Sequence, residues 1–354
     1  MMKNILIYGP YPPPPGGVAN HIARLSSLLQ EIGYCVDVID TQYNDDNTQQ
    51  GNIIHIPRLR NLITIPLRNY SLIHLHFRSK ISTVLLTGKA KLINKKIVIS
   101  FHNERIISEV ERSKLFYKVA LSLADAIIVT RQDVRLKILE LLRLNREKIY
   151  AIDACLPLRQ NGKEFTFSVD EVFKQFTGNH FPIVLGYSHR LDFYNGEDLY
   201  GIDLLIKAIS VLREEYRSIG LYLRTPTPNE EFHSYTKNLI DRSDISDAVY
   251  WSDETTELLP LIRFFHLYVR PTNTDGDSVL VREALMSGIP CVASDAVWRP
   301  KECVLFKNRD LEDLVSKIRL ALREGLSTPP ILNRNFEKIL EVYEGVYNRR
   351  TTID

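Results

Sequence analysis

The chain has 354 residues, of which 44% are hydrophobic and 25% charged, and its formal net charge is +2. This length predicts two domains of ~150 residues each, and the balance of residue types is that of an ordinary folded protein. The near-neutral charge excludes a broadly basic nucleic-acid-binding protein. No apolar run approaches the ~20 residues that span a bilayer, and the run at the N-terminus is too short for a signal peptide.

The four cysteines are Cys35, Cys155, Cys291 and Cys303, and none form a C-x-x-C pair. Three of them lie within or directly beside predicted strands. This pattern favours mostly buried, reduced thiols over a disulfide or zinc framework. We therefore expect a cytoplasmic protein.

The first half of the chain alternates between short strands and amphipathic helices. Strands are predicted over 4–9, 36–40, 52–57, 72–77, 96–102, 125–130 and 148–153, and helices over 18–32, 80–94, 106–123 and 131–143. Such alternation is typical of a parallel, doubly wound sheet.

A proline-rich loop with two glycines, Gly16 and Gly17, joins the first strand to the first helix. It lacks the G-x-G-x-x-G fingerprint, so a dinucleotide-binding interpretation is weak. Glycines at a helix start leave backbone N–H groups accessible to an anion. The alternatives are a stiff loop that only fixes the turn, and a proline-rich docking ligand.

Three histidines stand at strand ends: His74, His76 and His102. Histidines within strands are most often packing residues. His102 differs because it ends a buried strand and begins a polar turn, which makes it the strongest candidate for a direct role.

The stretch from 57 to 100 contains nine basic residues and no acidic one. This asymmetry suits an anionic membrane surface or a diphosphate-linked acceptor. Nucleic acid is a weaker alternative because the stretch has no stacking aromatic pattern. A solvated face, neutralised by acids elsewhere in the fold, remains the other interpretation.

The second half repeats the alternation after a polar stretch at 161–181, which we predict to be a linker. Strands are predicted over 182–188, 221–226, 247–253, 266–270, 290–294 and 304–306. Helices are predicted over 203–212, 230–242, 255–264 and 279–286. One further helix is predicted to follow, with Asp310 or Asn308 as its N-terminal cap. The predicted domains are 1–160 and 182–332. A last helix, within 333–354, is expected to pack back on the first domain.

The segment from 266 to 295 carries the clearest site signal. Its strand ends at Pro271, and an acidic loop leads to a helix that Asp277 or Ser278 can cap. Gly288 is placed to end that helix in the left-handed conformation. In a parallel sheet such a loop opens at the carboxyl end of a strand, where α/β folds bind ligands.

Two carboxylates frame this loop, Asp275 and, eight positions later, Glu283. Their spacing resembles the E-x7-E pattern of retaining GT-B glycosyltransferases of the GT4-like, group 1 family. The family usually has Glu at the first position. It usually has Gly-Phe-Gly or Gly-Leu-Gly where this chain has Asp277-Ser278-Val279. The resemblance implies that the loop carboxylate and backbone amides hold the donor sugar, and that Glu283 binds the nucleotide ribose.

Other positions match the same family in order along the chain. The loop with Gly16 and Gly17 resembles its Pro-x-x-Gly-Gly loop, which approaches the donor phosphates or the acceptor. His102 corresponds to a histidine that faces the donor sugar. Arg299 and the proline after it resemble an Arg-Pro pair that family members often carry.

The family also places an arginine and a lysine on the donor diphosphate. Arg190 matches the arginine, whereas Tyr200 stands at the lysine position. Arg270, Arg282 and Arg299 are alternative sources of the missing charge.

The resemblance implies two Rossmann-like domains facing across a cleft, the first binding the acceptor and the second the nucleotide sugar. We predict a retaining transferase that moves a sugar from a nucleotide diphosphate sugar to a lipid-diphosphate-linked glycan acceptor in bacterial capsule or O-antigen synthesis. The enzyme would be peripheral on the inner face of the membrane and require no metal or other cofactor.

The Asp275-Gly276-Asp277 run is similar to the Asp-x-Asp metal site of the other glycosyltransferase fold. In that fold the motif follows a strand of a single mixed sheet, whereas here it lies late in a second doubly wound domain. The alternatives are a sugar-nucleotide 2-epimerase and a non-catalytic nucleotide-sugar-binding protein.

Overall fold

The structure, a computed structural model, describes residues 3–13, 16–42, 48–55, 67–76, 80–157, 170–226, 229–323 and 333–349, without the side chains of 48–50. The chain divides into two compact units. Unit 1 comprises Met1–Lys163 together with Asn333–Asp354, and unit 2 comprises Glu164–Leu332. Each unit is an α/β structure built on its own sheet.

Unit 1 contains an eight-stranded sheet in the order β3-β4-β2-β1-β5-β6-β7-β8. All neighbours pair in parallel except β3 with β4. The strands are β1 (Asn4–Gly9), β2 (Cys35–Asp40), β3 (Thr48–Gln50), β4 (Ile53–His55), β5 (Leu72–His76), β6 (Lys96–Phe101), β7 (Ala126–Val129) and β8 (Ile149–Ala151). The strand order reverses between β1 and β5, so ligand-binding loops are expected at their carboxyl ends.

Helices cover both faces of this sheet. They are α1 (Gly17–Glu31), α2 (Lys80–Leu92), α3 (Ile106–Arg112), α4 (Lys114–Leu123) and α5 (Gln132–Leu142). Alternate residues of β1 enter different cores: Leu6 lies in one cluster and Ile5 in the other. The single helix predicted over 106–123 is two helices, because the backbone at Ser113 leaves the helical region.

Unit 2 contains a six-stranded parallel sheet in the order β13-β12-β9-β14-β15-β16, and a short antiparallel pair, β10 with β11. The strands are β9 (Ile183–Tyr187), β10 (Phe193–Tyr194), β11 (Glu197–Asp198), β12 (Gly220–Arg224), β13 (Val249–Ser252), β14 (Leu267–Arg270), β15 (Cys291–Ser294) and β16 (Val304–Phe306). Here the strand order reverses between β9 and β14.

The helices of unit 2 are α6 (Glu171–Asn179), α7 (Ile202–Leu212), α8 (Glu230–Arg242), α9 (Val279–Met286) and α10 (Leu311–Arg323). The predicted linker differs from the structure, because α6 buries Phe173 and Phe176 in a core cluster of unit 2. The helix predicted over 255–264 is a 3₁₀ helix at Leu259–Phe264, with a proline in its first turn.

A last helix, α11 (Asn335–Asn348), belongs to unit 1 although it follows unit 2 in the chain. It buries a row of side chains in a core cluster shared with β1, α1 and β2: Phe336, Ile339, Val342, Tyr343 and Val346. The Tyr343 hydroxyl and His74 Nδ1 are hydrogen bonded at 2.7 Å. These contacts join the end of the chain to the centre of the first sheet.

The two doubly wound parallel sheets confirm the predicted α/β fold class. They explain why continuous apolar runs, rather than alternating ones, mark most strands, since both faces of each sheet are covered.

Candidate functional site

The loop after β14 lies beside the point where the strand order of unit 2 reverses. It connects the end of β14 at Arg270 to the start of α9 at Val279. The loop after β9, which carries Arg190, leaves the sheet from the neighbouring strand. Most of the residues predicted for donor binding therefore lie at one edge of one sheet, where doubly wound folds bind ligands.

Asp275 is held by protein groups on both carboxylate oxygens. Its Oδ2 accepts from Arg270 Nε at 2.9 Å, Arg299 Nη1 at 3.0 Å and Thr272 Oγ1 at 3.5 Å, and its Oδ1 accepts from the Gly276 N–H at 2.9 Å. Burial alone would raise the pKa of this carboxyl. The two guanidinium groups outweigh burial, and the pKa lies below its ordinary value.

The start of α9 is capped by Ser278, whose hydroxyl accepts from the Val281 N–H at 3.4 Å. Asp277, the other predicted cap, instead accepts from two nitrogens of Arg282, each at 2.8 Å. The amides at the start of this helix, including that of Val279, have no acceptor within the helix.

Glu283 lies on α9 and is buried, with 5% of its surface exposed. Gly288, just beyond the helix, has a φ of +79°, the left-handed conformation predicted for it. The predicted carboxylates therefore differ in setting: Asp275 is bound in an ion-pair cluster, whereas Glu283 is carried on a short helix.

The start of α7 presses against the end of β14. A Cβ added to Gly201 would lie 2.2 Å from the Pro271 carbonyl oxygen, and the φ of Gly201 is +67°. The Asp198 carboxylate accepts from the amides of Tyr200, Gly201, Ile202 and Asp203. Because Asp198 occupies these N–H groups, α7 does not offer its start to a phosphate.

Arg190 projects from the loop after β9, with 63% of its side chain exposed, and donates to Asp192 at 2.8 Å. Tyr200 lies between two charge pairs. Burial raises its pKa most, while the charges of Arg270 and Arg190 lower it and those of Asp275 and Asp192 raise it.

In unit 1, Gly16 precedes α1 in an extended conformation, and among the described residues no side chain caps this helix. A Cβ at Gly16 would meet no described atom within 4 Å. Gly17 is the first residue of α1. Both glycines thus lie at an uncapped helix start that follows β1, where the strand order of the first sheet reverses.

His102, just after β6, belongs to a histidine cluster that also contains His21 and His76. His76 Nδ1 and His102 Nε2 are hydrogen bonded at 2.7 Å, and His21 Nδ1 contacts the Ala154 carbonyl at 2.6 Å. Burial lowers the pKa of His21 to about 4 and those of His76 and His102 well below the ordinary value. These rings are therefore neutral near pH 7.

The sequence patterns did not identify His21 as a candidate site residue, although it lies next to Ile22 on the apolar face of α1. One nitrogen from each ring of the cluster lies within 4.8 Å of the others, a spacing that admits a metal ion. Two nitrogens on one zinc ion are ~3.3 Å apart. The 2.7 Å bond between His76 and His102 would have to open first.

The Asp-x-Asp run of the loop places both carboxylates against arginines: Asp275 on Arg270 and Arg299, and Asp277 on Arg282. This pairing competes with a metal ion for the same oxygens.

The basic stretch from 57 to 100 is partly engaged within unit 1. Lys91 pairs with Asp125 at 2.7 Å, Lys95 donates to the Arg68 carbonyl and Lys96 to the Arg349 carbonyl. Three of its arginines, Arg58, Arg60 and Arg78, lie outside the described residues.

Helices α2 and α4 pack against each other and leave large apolar side chains exposed. These are Ile81, Leu85 and Leu92 on α2, and Leu115, Val119 and Leu123 on α4. We call them the α2–α4 face. In the part of the chain that the structure describes, no helix has both the length and the apolar character needed to cross a bilayer.

Residues 185–324 match the model of the family described as glycosyl transferases group 1. An uncharacterized glycosyltransferase from Haemophilus influenzae is 25% identical over 161 residues, which cover 41% of this chain and 45% of that relative. The match thus spans less than half of the relative's own length.

Solved structures share the fold over nearly the whole chain. HepE from Anabaena, solved in complex with UDP-glucose, has a TM-score of 0.61 and 15% identity, and the match covers 97% of this chain and 98% of HepE. A putative UDP-N-acetylglucosamine 2-epimerase from Listeria monocytogenes has a TM-score of 0.68 and 12% identity, over 99% and 98%. Residues 185–324 are thus similar to group 1 glycosyltransferases, and the two α/β units have the GT-B fold.

Proposed function

We propose that this protein transfers a sugar, with retention of anomeric configuration, from a nucleotide diphosphate sugar to a glycan acceptor. The carrying observation is the family match over residues 185–324, which contains the loop and helix from Arg270 to Glu283. The presence of UDP-glucose in the related HepE structure supports a nucleotide sugar as donor.

In this proposal unit 2 binds the donor. The start of α9 and Arg190 face the diphosphate, and Glu283 binds the ribose hydroxyls. Asp277 keeps the loop in place by pairing with Arg282. The leaving diphosphate is stabilised electrostatically by fixed charges and N–H groups, without a metal ion.

Within unit 1, the proposal assigns roles to His102 and to the helix start at Gly16 and Gly17. Neutral His102 offers a hydrogen-bonding ring to a sugar hydroxyl, and positions the reacting groups rather than supplying charge. Attack from the side of the leaving group, with the donor phosphate as base, requires no protein nucleophile.

The acceptor we propose is a lipid-diphosphate-linked saccharide at the inner face of the membrane, in surface polysaccharide synthesis. The α2–α4 face supports contact with a bilayer, since exposed Leu115 directly follows exposed Lys114 on α4. Apolar side chains beside cations suit an anionic membrane surface.

The test is a panel of UDP-, GDP- and ADP-sugars in thermal-shift measurements, followed by product analysis. One donor should raise the melting temperature. The Glu283→Gln variant should need at least about ten times more of that donor to reach the same rise. Glu312→Gln, at an exposed position on α10 of the same unit, is the matched control. NMR of the product should show the same anomeric configuration as in the donor. A product with inverted configuration would contradict the proposed retaining transfer.

The likeness to the Listeria protein keeps a 2-epimerase as the second candidate. An epimerase converts its nucleotide sugar without an acceptor, so donor epimers would accumulate in acceptor-free reactions. A non-catalytic binder would give the thermal shift but neither epimer nor free nucleotide.

A further inference from the structure

Three charged side chains meet at the end of β14 and leave an unbalanced positive charge. Arg270 and Arg299 are 7% and 6% exposed, and both pair with the same carboxylate, that of Asp275. Within the described residues, the two guanidinium groups therefore share a single carboxylate in these pairs. A buried charge without a full counter-charge is unfavourable, so the cluster favours an anion.

The two arginines use their donors differently. Arg299 donates from all three nitrogens, to Ser294 O at 3.5 Å, to Asp275 and to Thr272 Oγ1 at 2.8 Å. Arg270 donates from Nε to Asp275, and its two terminal nitrogens bond to no other described residue. Arg299 is therefore fixed in the protein, whereas Arg270 keeps the paired N–H groups that bind phosphate oxygens in bidentate fashion.

The position of Arg270 matches the predicted diphosphate subsite. Its Cζ lies 5.4 Å from the ring centroid of Tyr200, the residue that replaces the expected lysine. The close approach of Gly201 to Pro271 brings the start of α7 against the loop after β14. The Arg270 guanidinium therefore lies close to the position where a lysine at 200 would place its positive charge.

The other candidate cations are less suitable. Arg282 is committed to Asp277 through two hydrogen bonds of 2.8 Å. Arg190 is exposed and pairs with Asp192, so it is available but not fixed by packing.

We propose that Arg270 binds the diphosphate of the nucleotide ligand, and that Asp275 acts as a positioning residue for Arg270 rather than as a sugar contact. The identity of the anion rests on the proposed function, whereas the unbalanced charge does not. Asp275 receives four hydrogen bonds from the protein, which suits a residue that orients a neighbour.

The experiment compares ligands that differ in phosphate, using calorimetric affinities of the full chain for UDP, GDP and ADP, for the matching nucleosides and for inorganic pyrophosphate. Arg270→Gln should weaken nucleoside diphosphate binding about 10- to 100-fold and leave nucleoside binding unchanged. Arg270→Lys, which keeps one charge but loses the fork, should lie between. Arg213→Gln, which breaks a bidentate pair with Asp247 elsewhere in unit 2, is the matched control.

Asp275→Asn tests the positioning role. It should weaken diphosphate binding selectively, and in combination with Arg270→Gln the two losses should not add, because both act on one contact. A purely structural role would instead lower the affinity for nucleosides and diphosphates alike.

The outcomes separate the two proposals. Diphosphate binding that is equal in Arg270→Gln and Arg213→Gln would overturn the role of Arg270 and leave the proposed function standing. Arg270-dependent binding of pyrophosphate, with no nucleotide bound, would support the anion site and refute the proposed function. If the wild-type chain binds neither, both proposals fall.

Discussion

At the scale of single residues, burial decides the chemistry of the two candidate sites in opposite ways. In unit 2, Asp275 stays ionised despite its burial because two guanidinium groups compensate the carboxylate. In unit 1, the histidines have no such compensation, and burial lowers the pKa of His21 to about 4 and that of His74 to about 3. The first site is therefore charged and the second neutral near pH 7.

The neutral histidines predict acid sensitivity. Their folded-state pKa values lie below the ordinary value of 6.5, so the unfolded chain binds more protons between about pH 6.5 and 4. Stability should be greatest above pH 6.5 and fall as the pH decreases, by up to about 1.4 kcal/mol per pH unit for each such histidine. Urea unfolding between pH 7.5 and 5 measures this slope.

Replacing His21 by Gln keeps a donor for the Ala154 carbonyl but removes one titrating group, so the slope should become shallower. Ile22→Val on the same helix is the control, since it loosens packing without changing proton uptake. A wild-type slope that is flat, or unaffected by the loss of His21, contradicts this interpretation.

At the scale of elements, helix surfaces divide into those that complete a core and those left uncovered. Helix α7 buries seven of its eleven residues in unit 2. By contrast, α2 and α4 expose apolar residues at helical spacing, with Leu92 at 89% and Leu115 at 78%. Exposed apolar area of this kind is unusual on a monomeric soluble surface and marks an interaction site.

The α2–α4 face predicts membrane binding. Replacing Leu92 and Leu115 by Glu should lower binding to vesicles containing anionic lipid at least about tenfold, since burying one leucine contributes roughly 1.5–3 kcal/mol. Co-sedimentation with anionic and with neutral vesicles measures the effect. Leu320→Glu, at an exposed leucine on α10, is the control, and equal binding by both variants would exclude this face.

At the scale of the whole molecule, chain order and domain membership differ. The chain leaves unit 1, forms unit 2, and returns so that α11 completes the core of unit 1. Residues near the C-terminus therefore stabilise the first sheet through contacts with segments about 270 positions earlier, such as Tyr343 with His74.

This connectivity predicts where a core mutation is felt. Ile339→Ala in α11 should cost about 2–5 kcal/mol and speed amide hydrogen exchange in unit 1, leaving unit 2 unchanged. Leu314→Ala in α10, just ahead of α11 in the sequence, should do the reverse because Leu314 is buried in unit 2. Exchange measured by mass spectrometry across both units distinguishes the two. Uniform loss of protection in either variant would contradict two separately packed units.

The sequence by itself determined the fold class, most of the strands and the left-handed conformation of Gly288. It also included Ser278 as one of two candidate caps of α9. These follow from periodicity and turn chemistry, which act over a few neighbouring residues. Only the tertiary structure decided that Arg299 joins Arg270 on Asp275, that His21 meets His76 and His102, and that part of the expected linker packs as α6. Contacts between distant residues depend on how strands and helices assemble, and local patterns do not specify that assembly.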